Sequence, residues 1–261
     1  MKLGPSLQFT RASLDALYDR YNRREFVHPD PLEFLYGYED ASDREVVGIV
    51  ASSLAYGRVK QILKSVSVVL ARMGPSPSSF LLETPGSAVR QTFTDFKHRF
   101  TTGDQLAALL LAVKSILLRC GSLQACFMAG LKDEDLTILS ALTAFTQELN
   151  ANMNLSESSM LLPSPLGGSA CKRLNLFLRW MVRRDDVDPG GWSLVSPSRL
   201  IVPLDTHMHR IGKMMGLTSR KQADLRAAIE ITEAFRSIAP GDPVRYDFAL
   251  TRLGIRDDIE V

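Results

Sequence analysis

The stretch Leu200-Ile-Val-Pro-Leu-Asp-Thr-His-Met-His-Arg-Ile211 is the most informative part of the chain. A proline and an aspartate stand directly before a helical pattern that ends at Gly216, so the pattern predicts Asp205 as the N-cap of a helix. Aspartate suits this position because its carboxylate accepts hydrogen bonds from the first N–H groups of the helix. Since capping alone explains most such aspartates, a chemical role for Asp205 needs other observations.

Helical periodicity is common in the rest of the chain, and strand signals are scarce. Residues 104–119 are nearly continuous apolar sequence and are predicted to form a buried central helix. Another helix start is indicated by Asp242-Pro243, with Gly254 after its end. The predicted helices cover residues 11–23, 43–56, 58–73, 103–119, 134–150, 170–183, 206–215, 222–237 and 243–253. We therefore expect an all-α chain.

Composition bounds the class of protein. Hydrophobic residues make up 45% and charged residues 23%, as in an ordinary folded domain. With 31 basic and 29 acidic residues the net charge is only +2, so any nucleic-acid surface must be a local patch. Three cysteines fit a reducing cytoplasm and are too few for a four-cysteine iron–sulfur site. No apolar stretch approaches the roughly 20 residues of a membrane span. We expect a cytoplasmic protein without a cofactor or a membrane helix.

A second informative segment is the predicted helix that starts near Ser169. Gly167-Gly168 precede it, and residues 172–184 contain five basic residues and no acidic one. The helical spacing predicts one buried apolar face and places three cations opposite it: Lys172, Arg179 and Arg183. Two interpretations stay open. The cations form a solvated surface, or they hold DNA phosphates above a glycine turn whose amides also face a phosphate.

Taken together, these two segments resemble the helix-hairpin-helix DNA glycosylase superfamily. Val202-Pro-Leu-Asp-Thr-His-Met-His-Arg210 is similar to the family's aspartate segment, and Lys172 stands near the turn where the family has its lysine. The two residues are 33 positions apart (205 − 172), close to the archaeal 8-oxoguanine glycosylase branch. The usual Gly-x-Gly turn is replaced by Ser164-Pro-Leu-Gly-Gly168. As a whole, the chain also resembles an uncharacterised bacterial family.

The resemblance implies a two-lobed glycosylase fold over residues 1–261, in which the N-terminal and C-terminal helices share a lobe. It implies a monomeric enzyme that extrudes a damaged base from duplex DNA, with an oxidised purine such as 8-oxoguanine as the first candidate. Asp205 would stabilise positive charge on the sugar, and Lys172 would form a Schiff base that leads to strand cleavage.

The residues expected to contact DNA on the same grounds are Gly167, Gly168, Arg173, Arg179, Arg183, Tyr56 and Arg58. Tyr56 or Arg58 would fill the gap left by the extruded nucleotide. The other interpretation of this segment is structural, with Gly57 ending a helix.

Two functions from other classes remain open. One is a non-catalytic DNA- or RNA-binding module on the same fold, which would show salt-sensitive binding without base release. The other is a metal-dependent phosphohydrolase that uses Asp205 and His209. Since His207 and His209 point to different sides of a helix, no metal site is expected.

Overall fold

The computed structural model of the protein describes residues 10–153 and 161–255. Its α-helices are α1 (Arg11–Tyr21), α2 (Ala41–Ser53), α3 (Val59–Met73), α4 (Pro77–Glu83), α5 (Gly86–Phe93), α6 (Gly103–Cys120), α7 (Leu123–Met128), α8 (Leu139–Met153), α9 (Lys172–Val182), α10 (Thr206–Met214), α11 (Leu225–Ile238) and α12 (Asp247–Ile255). Short 3-10 helices cover Arg24–Phe26, Pro31–Gly37, Pro165–Gly167 and Pro197–Arg199. The expected all-α class is confirmed. The expected domain limits, residues 1 and 261, lie outside the described residues.

One small antiparallel hairpin interrupts the helices. Strand β1 (Lys97–His98) pairs with β2 (Thr101–Thr102), so that Lys97 is opposite Thr102 and His98 is opposite Thr101. Arg99 and Phe100 form the tip. Across the described part of the chain, none of the helices is both long enough and apolar enough to cross a bilayer.

Helix α6 is the buried centre of one group of helices, as its apolar sequence predicts. It packs against α4, α5, α7 and α8, and its apolar side chains at positions 106, 109, 110, 113 and 117 are buried. The helix starts with a capping box in which the Thr102 hydroxyl and the Gln105 side chain each accept from the other residue's backbone N–H. It ends at Gly121, whose φ of 80° is left-handed.

A second group of helices brings the two ends of the described chain together. Helix α1 packs against α12, and α12 also packs against α10. The Tyr246 hydroxyl donates to Asp15 Oδ1 at 2.8 Å, and the rings of Tyr18 and Tyr246 meet edge to face. Helix α2 packs along α9 and also contacts α3 and α4. It therefore joins the two groups and supports the start of α9.

A buried carboxylate on α2 strengthens this connection. Glu45 accepts hydrogen bonds from the backbone N–H groups of Leu123 and Gln124, at 2.8 and 2.9 Å, and from Trp192 Nε1 at 2.7 Å. Burial raises the pKa of Glu45, although all three donors act in the opposite direction. Glu45 of α2 therefore caps the first turn of α7, although the two helices are distant in sequence.

Helices α8 and α11 begin later than predicted, at Leu139 and Leu225. Two further predicted helix starts are wrong because a neighbouring group takes the expected capping residue. Helix α9 begins at Lys172 rather than near Ser169, which instead pairs with Asp224 in an isolated β-bridge. Helix α12 begins at Asp247 rather than after Asp242, because the Asp242 carboxylate accepts from Arg183 Nε. Gly254 lies inside α12 and does not end it.

Candidate active site

Asp205 is the N-cap of α10, as predicted. Its Oδ1 accepts hydrogen bonds from the backbone N–H groups of His207 and Met208, both at 2.9 Å. The other oxygen, Oδ2, takes part in neither bond. Helix α10 ends before Gly216, whose φ of 72° is left-handed. The aspartate is thus held rigidly through one oxygen while the second faces outward.

Lys172 lies opposite this second oxygen. Its Nζ is 4.0 Å from Asp205 Oδ2, and each side chain is 29% exposed. The two residues come from the first turn of α9 and the N-cap of α10, so the fold brings the predicted lysine and aspartate together at two helix starts. A partly exposed pair at this distance contributes at most about 1 kcal/mol to stability. Stability alone is therefore a weak explanation for the pair.

The residue before Lys172 has an unusual backbone conformation. Cys171 has φ 46° and ψ 39°, the left-handed region that non-glycine residues rarely adopt. Its N–H donates to Ser169 Oγ at 3.1 Å, and its thiol donates to the Pro163 carbonyl at 3.1 Å. Burial raises the pKa of the Cys171 thiol to about 11, so this sulfur is no nucleophile at neutral pH. The buried cysteine instead fixes the direction in which α9 presents Lys172.

The glycine turn does not offer the expected amides. Gly167 N–H donates to the Ser164 carbonyl at 3.2 Å, and Gly168 N–H donates to the Pro165 carbonyl at 2.9 Å. The Gly168 carbonyl accepts from Leu225 N–H at 3.0 Å. Both glycines are exposed, but their N–H groups already have partners within the turn. The prediction that these amides bind a phosphate is wrong for that reason.

Arg179 and Arg183 are not on an exposed face either. Both are 3% exposed and lie among carboxylates. Arg179 binds Asp188 and Asp247, while Arg183 binds Asp188 and two further aspartates, Asp185 and Asp242. The prediction that these two arginines contact DNA phosphates is wrong, because segment 185–188 and α12 cover this side of α9.

Arg173 connects the lysine to the predicted Tyr56 segment. Its Nη1 donates to the Ser53 carbonyl at 2.7 Å, and its guanidinium lies 5.1 Å from the centre of the Tyr56 ring. Burial lowers the pKa of Arg173. Tyr56 is half-buried, whereas Arg58 is exposed at the start of α3. Arg173 therefore positions Tyr56 near the first turn of α9.

Together with Arg173 and Tyr56, the β1–β2 hairpin forms a wall beside the first turn of α9. This hairpin was not expected from the sequence. The Tyr56 hydroxyl donates to the His98 carbonyl at 2.9 Å, and His98 Nε2 bonds to the Tyr56 carbonyl at 3.1 Å. Arg99, with φ 52°, lies between the rings of Tyr56 and Phe100. Phe100 is 66% exposed at the hairpin tip. Its prominence depends on the tertiary position of the hairpin, and no periodic pattern in the sequence signals it.

The residues considered for a metal site do not converge. His209 is buried and its Nε2 bonds to the Arg220 carbonyl at 3.0 Å, whereas His207 is exposed. Over residues 10–153 and 161–255, no group of three histidine, cysteine, aspartate or glutamate side chains is arranged to hold a metal ion. Asp205 and His209 therefore do not form the centre that a metal-dependent phosphohydrolase would require.

Comparison with known proteins gives a family but no activity. The chain matches the family described as Protein of unknown function (DUF2400) over residues 30–256. The matched residues include Tyr56, Phe100, Lys172 and Asp205, so the whole candidate site lies within it. No curated protein and no solved structure matches the chain.

Proposed function

The chain belongs to the DUF2400 family, and we propose that it is a DNA glycosylase that removes a damaged base through Lys172 and Asp205. The observation that carries the proposal is the 4.0 Å approach of Lys172 Nζ to Asp205 Oδ2. The two residues come from separate sequence segments, and the resemblance implies complementary chemical roles for them. Their meeting at two helix starts on a partly exposed surface is what a shared reaction centre requires.

The pair has the chemistry for attack at the anomeric carbon of a nucleotide. A lysine attacks only as the neutral amine. As its nitrogen bonds to the anomeric carbon and the N-glycosidic bond breaks, Asp205 Oδ2 would pass the proton released by the amine to the departing base and remain a carboxylate. A carboxylate beside the sugar also stabilises the oxocarbenium-like charge that develops as the base leaves. The present 4.0 Å separation exceeds a hydrogen bond, so both groups retain capacity to contact a substrate.

The adjacent wall supports access to a base in duplex DNA. Extruding a nucleotide costs a few kcal/mol of unstacking, and side chains inserted into the stack offset part of that cost. Phe100 is an exposed aromatic side chain at a hairpin tip and lies beside Arg99. The hairpin that carries it is bonded to Tyr56 through the His98 carbonyl. We assign the wedge role expected of Tyr56 to Phe100, because Tyr56 is half-buried beneath the hairpin, and the exposed Arg58 stays the other candidate. An oxidised purine remains the first lesion to test.

The proposal is tested by incubation with duplexes containing 8-oxoguanine, uracil or an abasic site, followed by borohydride. Borohydride reduces a lysine imine to a stable amine, so wild-type protein is expected to form a covalent adduct. Lys172→Gln should form none, whereas Lys132→Gln, at an exposed lysine outside this site, should trap like wild type.

Two results would count against the proposal. Trapping that survives in Lys172→Gln would assign the nucleophile to another residue. The absence of both trapping and base release, together with salt-sensitive DNA binding, would favour the non-catalytic binding module instead.

A further inference from the structure

Helix α10, which Asp205 caps, lines a positively charged cleft. An open cavity of about 410 Å³ is lined by His209, Arg210, Lys213, Met214 and Lys221. We call this the α10 cleft. Its three long cations are exposed, Met214 is 49% exposed, and no acidic side chain lines it.

The cations of the α10 cleft have no anionic partner among the residues that the structure describes. None of Arg210, Lys213 and Lys221 lies within 4.0 Å of a carboxylate there, whereas the neighbouring Arg220 binds Asp224 at 2.9 Å. Like charges gathered around one cavity repel each other and attract an anion. Unlike Arg220, these three cations are therefore available to an anion from outside the chain.

The walls of the cleft are connected to each other. His209 Nε2 donates to the Arg220 carbonyl at 3.0 Å, which joins α10 to the segment that carries Lys221. Arg220 N–H donates to Thr218 Oγ1 at 3.2 Å within that segment. The cations therefore project from a surface whose two sides are held together, rather than from separate flexible loops.

We propose that the α10 cleft binds backbone phosphates of duplex DNA. The identity of the polyanion rests on the proposed function, but the cleft itself rests on its geometry and charge. Lys213 lies eight residues after Asp205, or about 12 Å along the helix axis at roughly 1.5 Å per residue. That distance corresponds to about three to four base pairs at ~3.4 Å each. One duplex can therefore contact the cleft while a nucleotide lies at Lys172 and Asp205.

The inference also explains where the binding charge resides. Arg179 and Arg183 are buried among carboxylates, and the amides of Gly167 and Gly168 are occupied. The exposed cations on α10 and after it are free of both constraints. Phosphate contacts position a protein on DNA without reading its sequence, which suits an enzyme that searches for a lesion.

The test measures binding of a short undamaged duplex by fluorescence anisotropy at salt concentrations between about 50 and 200 mM. Wild type is compared with the triple variant Arg210→Ala/Lys213→Ala/Lys221→Ala. The matched control is Arg20→Ala/Arg90→Ala/Lys132→Ala, which removes the same charge from exposed positions elsewhere. Circular dichroism checks that each variant is folded. Unlabelled RNA hairpin and inorganic phosphate serve as competitors.

The cleft variant is expected to lose at least about tenfold in affinity, and its salt slope should fall by about three, since each phosphate contact contributes ~0.9. The control should bind like wild type. Equal affinity of the two triple variants would overturn the inference, as would stronger competition by the RNA hairpin or by inorganic phosphate than by duplex DNA. Undamaged DNA makes this test independent of catalysis. If the cleft variant loses binding and wild-type protein releases no base from a lesion duplex, the cleft is supported and the glycosylase is contradicted. If wild-type protein releases a base and the cleft variant still binds like wild type, the cleft alone is contradicted.

Discussion

Asp205 divides its two carboxylate oxygens between two tasks. Oδ1 accepts from the first N–H groups of α10, and Oδ2 lies 4.0 Å from Lys172 Nζ. A helix cap and a reacting carboxylate are therefore compatible in one side chain. The cap keeps the second oxygen in a fixed position and places it at the positive end of the helix dipole, where negative charge is stabilised.

Substitution of Asp205 can separate these tasks. Asparagine is about as good an N-cap as aspartate. The free energy of unfolding of Asp205→Asn is therefore expected to lie within a few tenths of a kcal/mol of wild type, while base release is lost. Asp205→Ala removes the cap and should lose about 1 kcal/mol of stability as well. Urea denaturation and a base-release assay measure the two effects. Base release by the folded asparagine variant would contradict the catalytic role.

Phe100 allows a similar separation of stability from function. Because the side chain is 66% exposed, Phe100→Ala should change the free energy of unfolding by less than about 0.5 kcal/mol. If the ring fills the gap in the base stack, affinity for a duplex with an abasic site should fall clearly more than affinity for intact duplex. Anisotropy with both duplexes measures this, and Leu118→Ala, at another exposed apolar side chain, is the control. An equal loss for both duplexes would contradict the wedge role.

Individual side chains were predictable where local sequence determines their position. The Asp205 cap depends only on the residues around it, and the apolar face of α9 follows from spacing. The exposure of Arg179 and Arg183 was wrongly predicted, because spacing gives their side of the helix but not what covers it. Some of the carboxylates that surround them come from segment 185–188, shortly after the helix. The others, Asp242 and Asp247, are distant in sequence from Arg179.

At the scale of elements, the α2–α3 connection and the β1–β2 hairpin fit closely together. Gly57 has φ 97°, and a Cβ added there would lie 2.6 Å from Arg99 Cδ and Nη1. The connection therefore requires glycine for its backbone conformation, and an added Cβ would also displace the end of the Arg99 side chain. His98 adds a bond between its Nδ1 and Ser65 Oγ of α3 at 2.9 Å.

Two alanine substitutions distinguish these requirements. Gly74 also has a positive φ, 79°, but nothing lies within 4 Å of an added Cβ. Gly74→Ala should therefore cost only the backbone strain of its φ 79°, ψ −162° conformation, about 1–3 kcal/mol. Gly57→Ala must also move the flexible end of the Arg99 side chain, which costs little stability but changes the hairpin tip, so it should weaken binding to abasic duplex more than Gly74→Ala does. Thermal unfolding and anisotropy measure both effects. Equal binding of abasic duplex by the two variants would show that the contact with Arg99 is unimportant.

The long helices could be predicted and the short elements could not. Residues 103–120 carry their own apolar pattern and capping box, so the prediction of α6 was accurate. Helix α4 has only seven residues, and a residue distant in sequence supports its first turn: Asp43 on α2 accepts from Ser78 N–H at 2.8 Å. Helices α5 and α7 and the hairpin were missed because short elements depend on such contacts more than on periodicity.

At the scale of the whole molecule, a buried charge network joins the helices beneath the candidate site. Arg179 and Arg183 bind four carboxylates: Asp185, Asp188, Asp242 and Asp247. The Tyr18 hydroxyl of α1 donates to Asp185 at 2.9 Å. Four carboxylates outnumber two guanidinium groups, so a fully ionised network carries excess negative charge. Removing one partner of such a buried pair typically costs about 3–5 kcal/mol.

Within this network, protonation of Asp247 should affect how the free energy of unfolding depends on pH. Burial raises the pKa of Asp247 most, and the charge of Asp205 acts in the same direction. The resulting pKa is about 6, although Arg179 acts to lower it. The unfolded value is about 3.9. Between pH ~4 and ~6 the folded state therefore binds the extra proton, and the stability that this group contributes at low pH is lost as the pH rises through about 6.

Asp247→Asn removes the titration while keeping an oxygen for Arg179, so its free energy of unfolding should decline less steeply across this window. Urea denaturation at several pH values measures the slope, with Asp133→Asn, at an exposed aspartate, as the control. Parallel pH profiles for wild type and Asp247→Asn would show that Asp247 is ionised throughout this range and that the network tolerates its full charge.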